Sequence, residues 1–316
     1  MFSALAKKIN NASKIAIFNH EHPDGDALGS AFALKLALQS LGKQAEVFLR
    51  DGDTDTKEYK VLEGTGICGI NISECDLKIS LDCAEISRMG CLETEFTGNT
   101  ACIDHHKTHV PFSDTEIVIP EAAATGEIIY ALIRYMNIEL TPGIAQNLYV
   151  AITCDTGSFK YSSVTPKTHR IAAELLETGI DTAELSKQLF DSKSIEYLHI
   201  YKTGIDKLEL YCDERVALLA LTDDDFKDAG IDESQADAVV GLPRSIDGVE
   251  IGVYIRQRGT DEYKVSLRSN TDADVSAIAA NFGGGGHAKA SGFSLKMPLD
   301  SAKKETVKTI EKYLTR

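Results

Sequence analysis

Tryptophan is absent from this chain of 316 residues, and proline occurs only seven times. Without tryptophan, and with a formal net charge of -15, the chain lacks the basic, aromatic-lined groove that grips long single strands. No apolar run approaches the ~20 residues that cross a bilayer. Met1 to Asn11 carries two lysines and reads as an amphipathic helix rather than a signal peptide, so a cytoplasmic protein with no membrane partner is expected. Seven cysteines are present, an odd number with no C-x-x-C pair, which argues against a zinc ribbon or a disulfide framework. Most sit in apolar stretches, as buried thiols do. The cysteine-dense run from 68 to 102 suggests no function of its own.

The charge that is present is uneven. Residues 244 to 316 hold 12 Lys+Arg against 9 Asp+Glu, a net of +3, so the remainder carries -18. An acidic body suited to metals and a mildly basic part suited to an anionic substrate fit that division, and ordinary surface variation fits it equally. In the first half, strand patterns alternate with helical ones: strands at 14–19, 45–49, 77–82 and 100–104, and helices at 27–41, 122–137, 143–153 and 166–178. Such alternation predicts an α/β fold with a parallel sheet in an N-terminal domain, residues 1–182. Residues 183–208 read as a helical linker. A smaller α+β domain, 209–316, follows: a strand at 215–221, helices to about 242, strands near 249–257, 262–268 and 290–295, and a C-terminal helix.

The reactive side chains lie where these elements end. His20, Asp24 and Asp26 follow the first strand, Asp82 ends another, and Asp104, His105 and His106 end a third. Asp155 lies just beyond the helix 143–153. Five of the eight histidines fall in the two segments 20–22 and 105–109. Strand ends of a parallel sheet gather on one edge, where ligands bind. Carboxylates crowded there repel one another unless cations neutralise them, and a carboxylate–imidazole mixture suits Mn²⁺, Mg²⁺ or Fe²⁺. Two such ions clamp an in-line displacement at phosphorus. Read singly, Asp26 serves equally as the cap of the helix at Ala27, and Asp24-Gly25 as a turn. His22 reads as loop and His109 as surface, His169 fits cleft and solvent equally, and Thr125 and Glu127 read as helix-capping residues with support of the metal shell as the alternative.

The segments NHEHPDGDALGS, ISLDCAE, IDHHKTH and ITCDTGSFKYSSVTP, in that order, resemble the DHH phosphoesterases, and GGGGHAKASGF resembles their DHH-associated substrate domain. The similarity is greatest to the branch that degrades very short RNA and 3'-phosphoadenosine 5'-phosphate (pAp). It implies that His20 and Asp24 hold one metal, Asp26, His105 and Asp155 a second, and Asp82 both. It implies that His106 stabilises charge on the phosphate and that Asp104 orients the histidines. Two divalent ions, Mn²⁺ foremost, are the expected cofactors, and short RNA or small nucleotides the expected partners; a homodimer stays open. A cyclic di-AMP or pApA phosphodiesterase and a non-catalytic nucleotide sensor are the rival readings.

In the C-terminal part, Gly283 to Gly286 and His287 read as a loop, not a strand or helix interior, because glycine lets the backbone approach a ligand closely. Gly284, Gly285, Gly286 and His287, with Arg268 just upstream, are the expected substrate-binding residues. Arg268 would supply a bidentate phosphate contact.

Overall fold

A computed structural model describes residues 1–231 and 239–314 of the protein. The chain divides into two compact units, Met1–Ser192 and Lys193–Arg316.

The first unit runs α1 (Ser3–Asn11), β1 (Lys14–Phe18), α2 (Gly25–Ser40), β2 (Gln44–Val47), α3 (Lys57–Lys60), β3 (Leu77–Leu81), β4 (Thr100–Asp104), β5 (Glu116–Val118), α4 (Thr125–Tyr135), α5 (Pro142–Asp155), α6 (Pro166–Leu176) and α7 (Thr182–Ser186). Its five strands form a wholly parallel sheet in the order β2-β1-β3-β4-β5. The apolar runs IAIF of β1 and ACI of β4 are buried throughout, as expected of strands covered on both faces. The chain leaves β1 toward β2 on one side and β3 toward β4 on the other, so the order reverses between β1 and β3. The crevice at the carboxyl ends of those two strands is where open α/β sheets bind ligands.

Helices α2 and α5 pack closely because α2 offers glycine at the contact. A Cβ on Gly29 would lie 2.5 Å from the Asn147 carbonyl oxygen and 2.8 Å from Ala151 N. One on Gly25 would strike the Cys154 sulfur. This approach brings the last residue of α5, Asp155, beside the first turn of α2. The helix expected at 143–153 thus runs two residues further and includes Asp155. The short β5 was not expected.

In the second unit, α8 (Ile195–Asp206), β6 (Leu208–Tyr211), β7 (Val216–Leu221), α9 (Asp223–Ala229), β8 (Ile251–Gly259), β9 (Glu262–Ser269), α10 (Val275–Ala280), β10 (Gly285–His287), β11 (Ala290–Lys296) and α11 (Leu299–Leu314) build a mixed sheet in the order β10-β11-β9-β8-β7-β6. Only β7 and β8 pair in parallel. Val216, Val253, Val265 and Phe293 meet Val275, Ile278 and Ile310 from α10 and α11 in its core. The stretch 183–208 is not one helix: α7 passes into a π-helical turn, Lys187–Asp191, and α8 starts anew with Ser194 as cap. Of the helical stretch expected up to about 242, residues 232–238 lie outside the described residues.

Candidate metal centre

The centre starts from a helix cap. Asp24 precedes α2, and its Oδ1 accepts the backbone N–H groups of Asp26 and Ala27, each at 3.0 Å. The cap of α2 is therefore Asp24 and not Asp26, and one oxygen of Asp24 stays clear of the cap. Asp26, in the first turn, is 1% exposed. It receives the N–H groups of Thr125 at 2.6 Å and Gly126 at 2.9 Å, the opening of α4, where the unpaired amides and helix dipole favour an anion.

Asp82 follows β3 in a left-handed conformation, φ 55°, which aspartate tolerates better than most residues. It is buried, and its Oδ1 accepts the Thr125 hydroxyl at 3.0 Å. His20 lies on the other side of the crevice. Its Nδ1 faces the Glu21 carbonyl oxygen at 2.8 Å and its Nε2 faces Asp82 Oδ2 at 3.8 Å. His105 repeats the arrangement: Nδ1 faces the Ala122 carbonyl oxygen at 3.2 Å, and Nε2 lies 3.5 to 3.9 Å from Asp155, Asp82 and Asp26. A ring that donates from Nδ1 to a carbonyl presents the lone pair of Nε2 to the carboxylates, the tautomer a metal ligand needs.

Ligand-type atoms of His20, Asp24 and Asp82 all lie within 4.8 Å of one another, as do those of Asp26, His105 and Asp155, and those of Asp82, His105 and His106. Asp82 belongs to two of these groups, and its Oδ1 lies 3.6 Å from Nε2 of His105, the histidine of the remaining one.

Crowding shows in the electrostatics. Burial, then the nearby Asp82, Asp155 and Asp24, push the Asp26 carboxyl well above the ordinary range. Burial and Asp24 push Asp82 up to about 6, despite the opposing pull of three histidines. Asp155 is raised as well, chiefly by burial. Asp104 behaves oppositely. Its burial works against ionisation, but hydrogen bonds from His106 and His109 outweigh it and hold the group at about 2. Buried acids that repel one another, facing imidazole lone pairs, form a donor set that divalent cations satisfy.

Residues 14–152 match the DHH family, N-terminal domain, and residues 213–316 match the DHHA1 domain. The bifunctional oligoribonuclease and PAP phosphatase NrnA of Thermus thermophilus is 33% identical over 96% of this chain and 90% of its own. The chain belongs to the DHH family. A cyclic-di-AMP phosphodiesterase, PdeA of Listeria monocytogenes, is 24% identical over 98% of this DHH chain but only 49% of its own length. The crystal structure of an exopolyphosphatase-related protein from Bacteroides fragilis superimposes with a TM-score of 0.84 at 25% identity, covering 100% of this chain and 97% of that one.

The residues that name the DHH family divide their work. The buried Asp104 Oδ1 accepts His106 Nδ1–H at 2.7 Å and the backbone N–H of His105 at 2.8 Å. Three positions read differently in the sequence. His109, expected at the surface, has a side chain only 4% exposed and bonds to Asp104. Thr125, read first as a cap of α4 and otherwise as support for the metal site, holds Asp26 and Asp82, with the neighbouring Gly126 N–H also on Asp26. Glu127, also buried, accepts the Thr168 hydroxyl and pairs with Lys167 at 3.2 Å. Arg50, which no sequence pattern marks, donates to the carbonyl oxygens of His20 and Met89 and fixes the loop carrying His20. His22 is exposed and joins none of the donor groups, while His169 stacks on Phe159.

In the DHHA1 unit of this DHH protein the glycine run is a loop only at Gly283 and Gly284. Gly285–His287 is a strand, β10, antiparallel to β11. Two of its glycines are needed for that pairing: a Cβ on Gly284 would lie 2.2 Å from the Gly292 carbonyl oxygen, and one on Gly286 2.6 Å from that of Ala290. Gly285 has open space where a Cβ would stand. His287, Ala290 and Arg268 stand opposite one another on adjacent strands, so they share one face of the sheet.

Proposed function

We propose that this chain is a two-metal phosphoesterase that hydrolyses short oligoribonucleotides and pAp. The observation that carries the reading is the pair of three-donor groups at the β1/β3 crevice, with Asp82 in one and next to the other. The 33% identity to the oligoribonuclease and PAP phosphatase of T. thermophilus, along almost the whole of both chains, supports the substrate class.

In this reading His20 and Asp24 hold one ion, Asp26, His105 and Asp155 the other, and Asp82 touches both. The mixed carboxylate and imidazole donors suit Mn²⁺. Two divalent cations bound there supply Lewis acidity and a nucleophilic water for in-line attack at phosphorus. The chain's own residues do the rest. Thr125 and the opening amides of α4 orient the carboxylates. His106, steered by Asp104 through Nδ1, leaves Nε2 to meet charge that develops on the transferring phosphoryl group. Arg268, Gly284, Gly285, Gly286 and His287 bind the remaining phosphate or base of the substrate. An acidic chain cannot draw in long RNA by charge, so substrate length is limited by weak capture.

The test is Mn²⁺-dependent turnover on pApA, a 5'-phosphorylated RNA trimer, pAp, cyclic di-AMP and a 24-mer RNA. Cleavage of the short linear RNAs and pAp, with the 24-mer spared, is expected. The resemblance to the Listeria cyclic-di-AMP phosphodiesterase supports a second reading, and fastest cleavage of cyclic di-AMP would establish it. Nucleotide binding without turnover in Mn²⁺, Mg²⁺ or Co²⁺ would refute the enzyme reading and favour a sensor.

A further inference from the structure

Behind the DHH motif a hydrogen-bonded row continues away from the metal centre. Asp104 gives one oxygen to each of two histidines: Oδ1 to His106 Nδ1 and Oδ2 to His109 Nδ1, both at 2.7 Å. The far nitrogen of His109, Nε2, meets Glu116 Oε2 at 3.0 Å. Glu116 is itself fixed twice. Its Oε1 accepts the backbone N–H groups of Phe112 and Ser113 at 2.9 and 2.6 Å, and its residue lies on β5 directly opposite Cys102 of β4. The Phe112 ring packs on the His109 imidazole with centroids 5.6 Å apart. The row is therefore His106, Asp104, His109, Glu116, anchored at its far end to backbone.

A carboxylate that accepts only one directional hydrogen bond can swing about its Cβ–Cγ bond. Asp104 is held at both oxygens: Oδ1 also accepts the His105 backbone N–H at 2.8 Å, and His109, itself held by Glu116, fixes Oδ2. The His106 ring is 33% exposed and depends on this support for its direction.

We propose that His109 and Glu116 are positioning residues that lock Asp104 and, through it, aim His106 at the substrate phosphate. The proposal rests on the role assigned to His106 above. Neither residue touches substrate. Cys102 lies beside the row, its sulfur within 4.8 Å of ligand-type atoms of His109 and Glu116. Those three could instead hold a metal ion, and the experiment separates the two.

His109→Ala and Glu116→Gln would be compared with wild type and with Cys102→Ala on pApA, alongside the downfield imidazole N–H resonances of the metal-free proteins. Hydrogen-bonding partners behind a metal site are worth roughly ten- to a hundredfold. The expected result is a fall of about tenfold or more in kcat for His109→Ala, with KM within about twofold. Glu116→Gln should give a smaller fall, and His109→Gln, which keeps one donor, should recover part of the loss. In both Glu116→Gln and His109→Ala the His106 N–H resonance should move, and Cys102→Ala should match wild type in rate and spectrum. A His106 resonance that stays fixed in every variant would overturn the proposal, as would an unchanged kcat in His109→Ala. So would a Cys102→Ala defect equal to that of His109→Ala with loss of bound zinc, which would make the three residues a metal site. If wild type fails to cleave pApA, the functional reading fails, and the resonance shift still decides whether the row is coupled.

Discussion

The two units bury opposite things. In the first, Asp26, Asp82, Asp104, Glu127, Asp53 and the Lys35–Glu46 pair all lie inside; in the second, Arg256 is the one buried charged residue among those described. Its acids sit nearer the surface, paired or capped: Glu250 with Arg215, Glu209 with Lys303, Asp274 on the amides of α10. Burying a like-charged cluster costs free energy that an apolar core does not incur. The first unit thus buries the donor set that divalent cations would satisfy, and the second buries an apolar core. On the proposed reading, chemistry belongs to the former and affinity to the latter.

Breaking the comparison on the acidic side should have the largest effect. Asp82→Ala is expected to cut turnover on the order of a thousandfold, since both ions lose a ligand. It should also raise the melting temperature of chelator-treated protein by removing a repelled buried carboxylate. Steady-state kinetics and a thermal melt check both. Wild-type activity in this variant would remove Asp82 from the centre.

On the basic side, Arg268→Ala is expected to raise KM about ten- to a hundredfold and leave kcat nearly unchanged. A kcat loss with constant KM would move Arg268 from binding to chemistry. Backbone shape is probed by Gly286→Ala. Its φ of 139° and the close Ala290 carbonyl oxygen make any side chain strained there, at a cost of about 1–3 kcal/mol to the second unit. Mn²⁺ binding in the first unit should be unaltered, as calorimetric titration would show.

The smallest effect sharpens the contrast. Asp82 titrates at about 6 when folded, and Asp26 and Asp155 are also raised, against about 3.9 for an unfolded aspartate. The folded state therefore binds protons more readily, and the metal-free first unit should lose stability as pH rises through that window. In the second unit Asp225, Glu209, Glu250 and Asp274 are lowered by their partners, so their contribution is present above the ordinary values and fades in acid. Scanning calorimetry of chelated protein at pH 5 and pH 7, with the transitions assigned by proteolysis, should show only the first unit weakening at the higher pH. Parallel shifts in both would contradict the contrast.

The same contrast explains what could be read from the sequence. Buried strands β1, β3 and β4 are rich in apolar residues and lead into His20, Asp82 and Asp104, so fold class and candidate ligands appeared together. The short edge strands β5, β6 and β10 left no such trace. β5 spans three residues, β6 follows directly on α8 and was given no element beyond Leu208, and β10 has glycine at two of its three positions. What makes Gly285–His287 a strand is the close approach of β11, a tertiary fact. His109 was misplaced for a related reason: its partner Glu116 lies seven residues on, across a turn and on an unexpected strand. Thr125 and Gly126 contact Asp26 from about a hundred residues away, and no local pattern reports such a distance.

Equilibrium titration of chelator-stripped protein with Mn²⁺ addresses the central claim most directly. The account requires two ions per chain, with Asp82→Ala weakening both sites and Arg268→Ala neither. A single ion per chain, or two ions indifferent to Asp82, would contradict it.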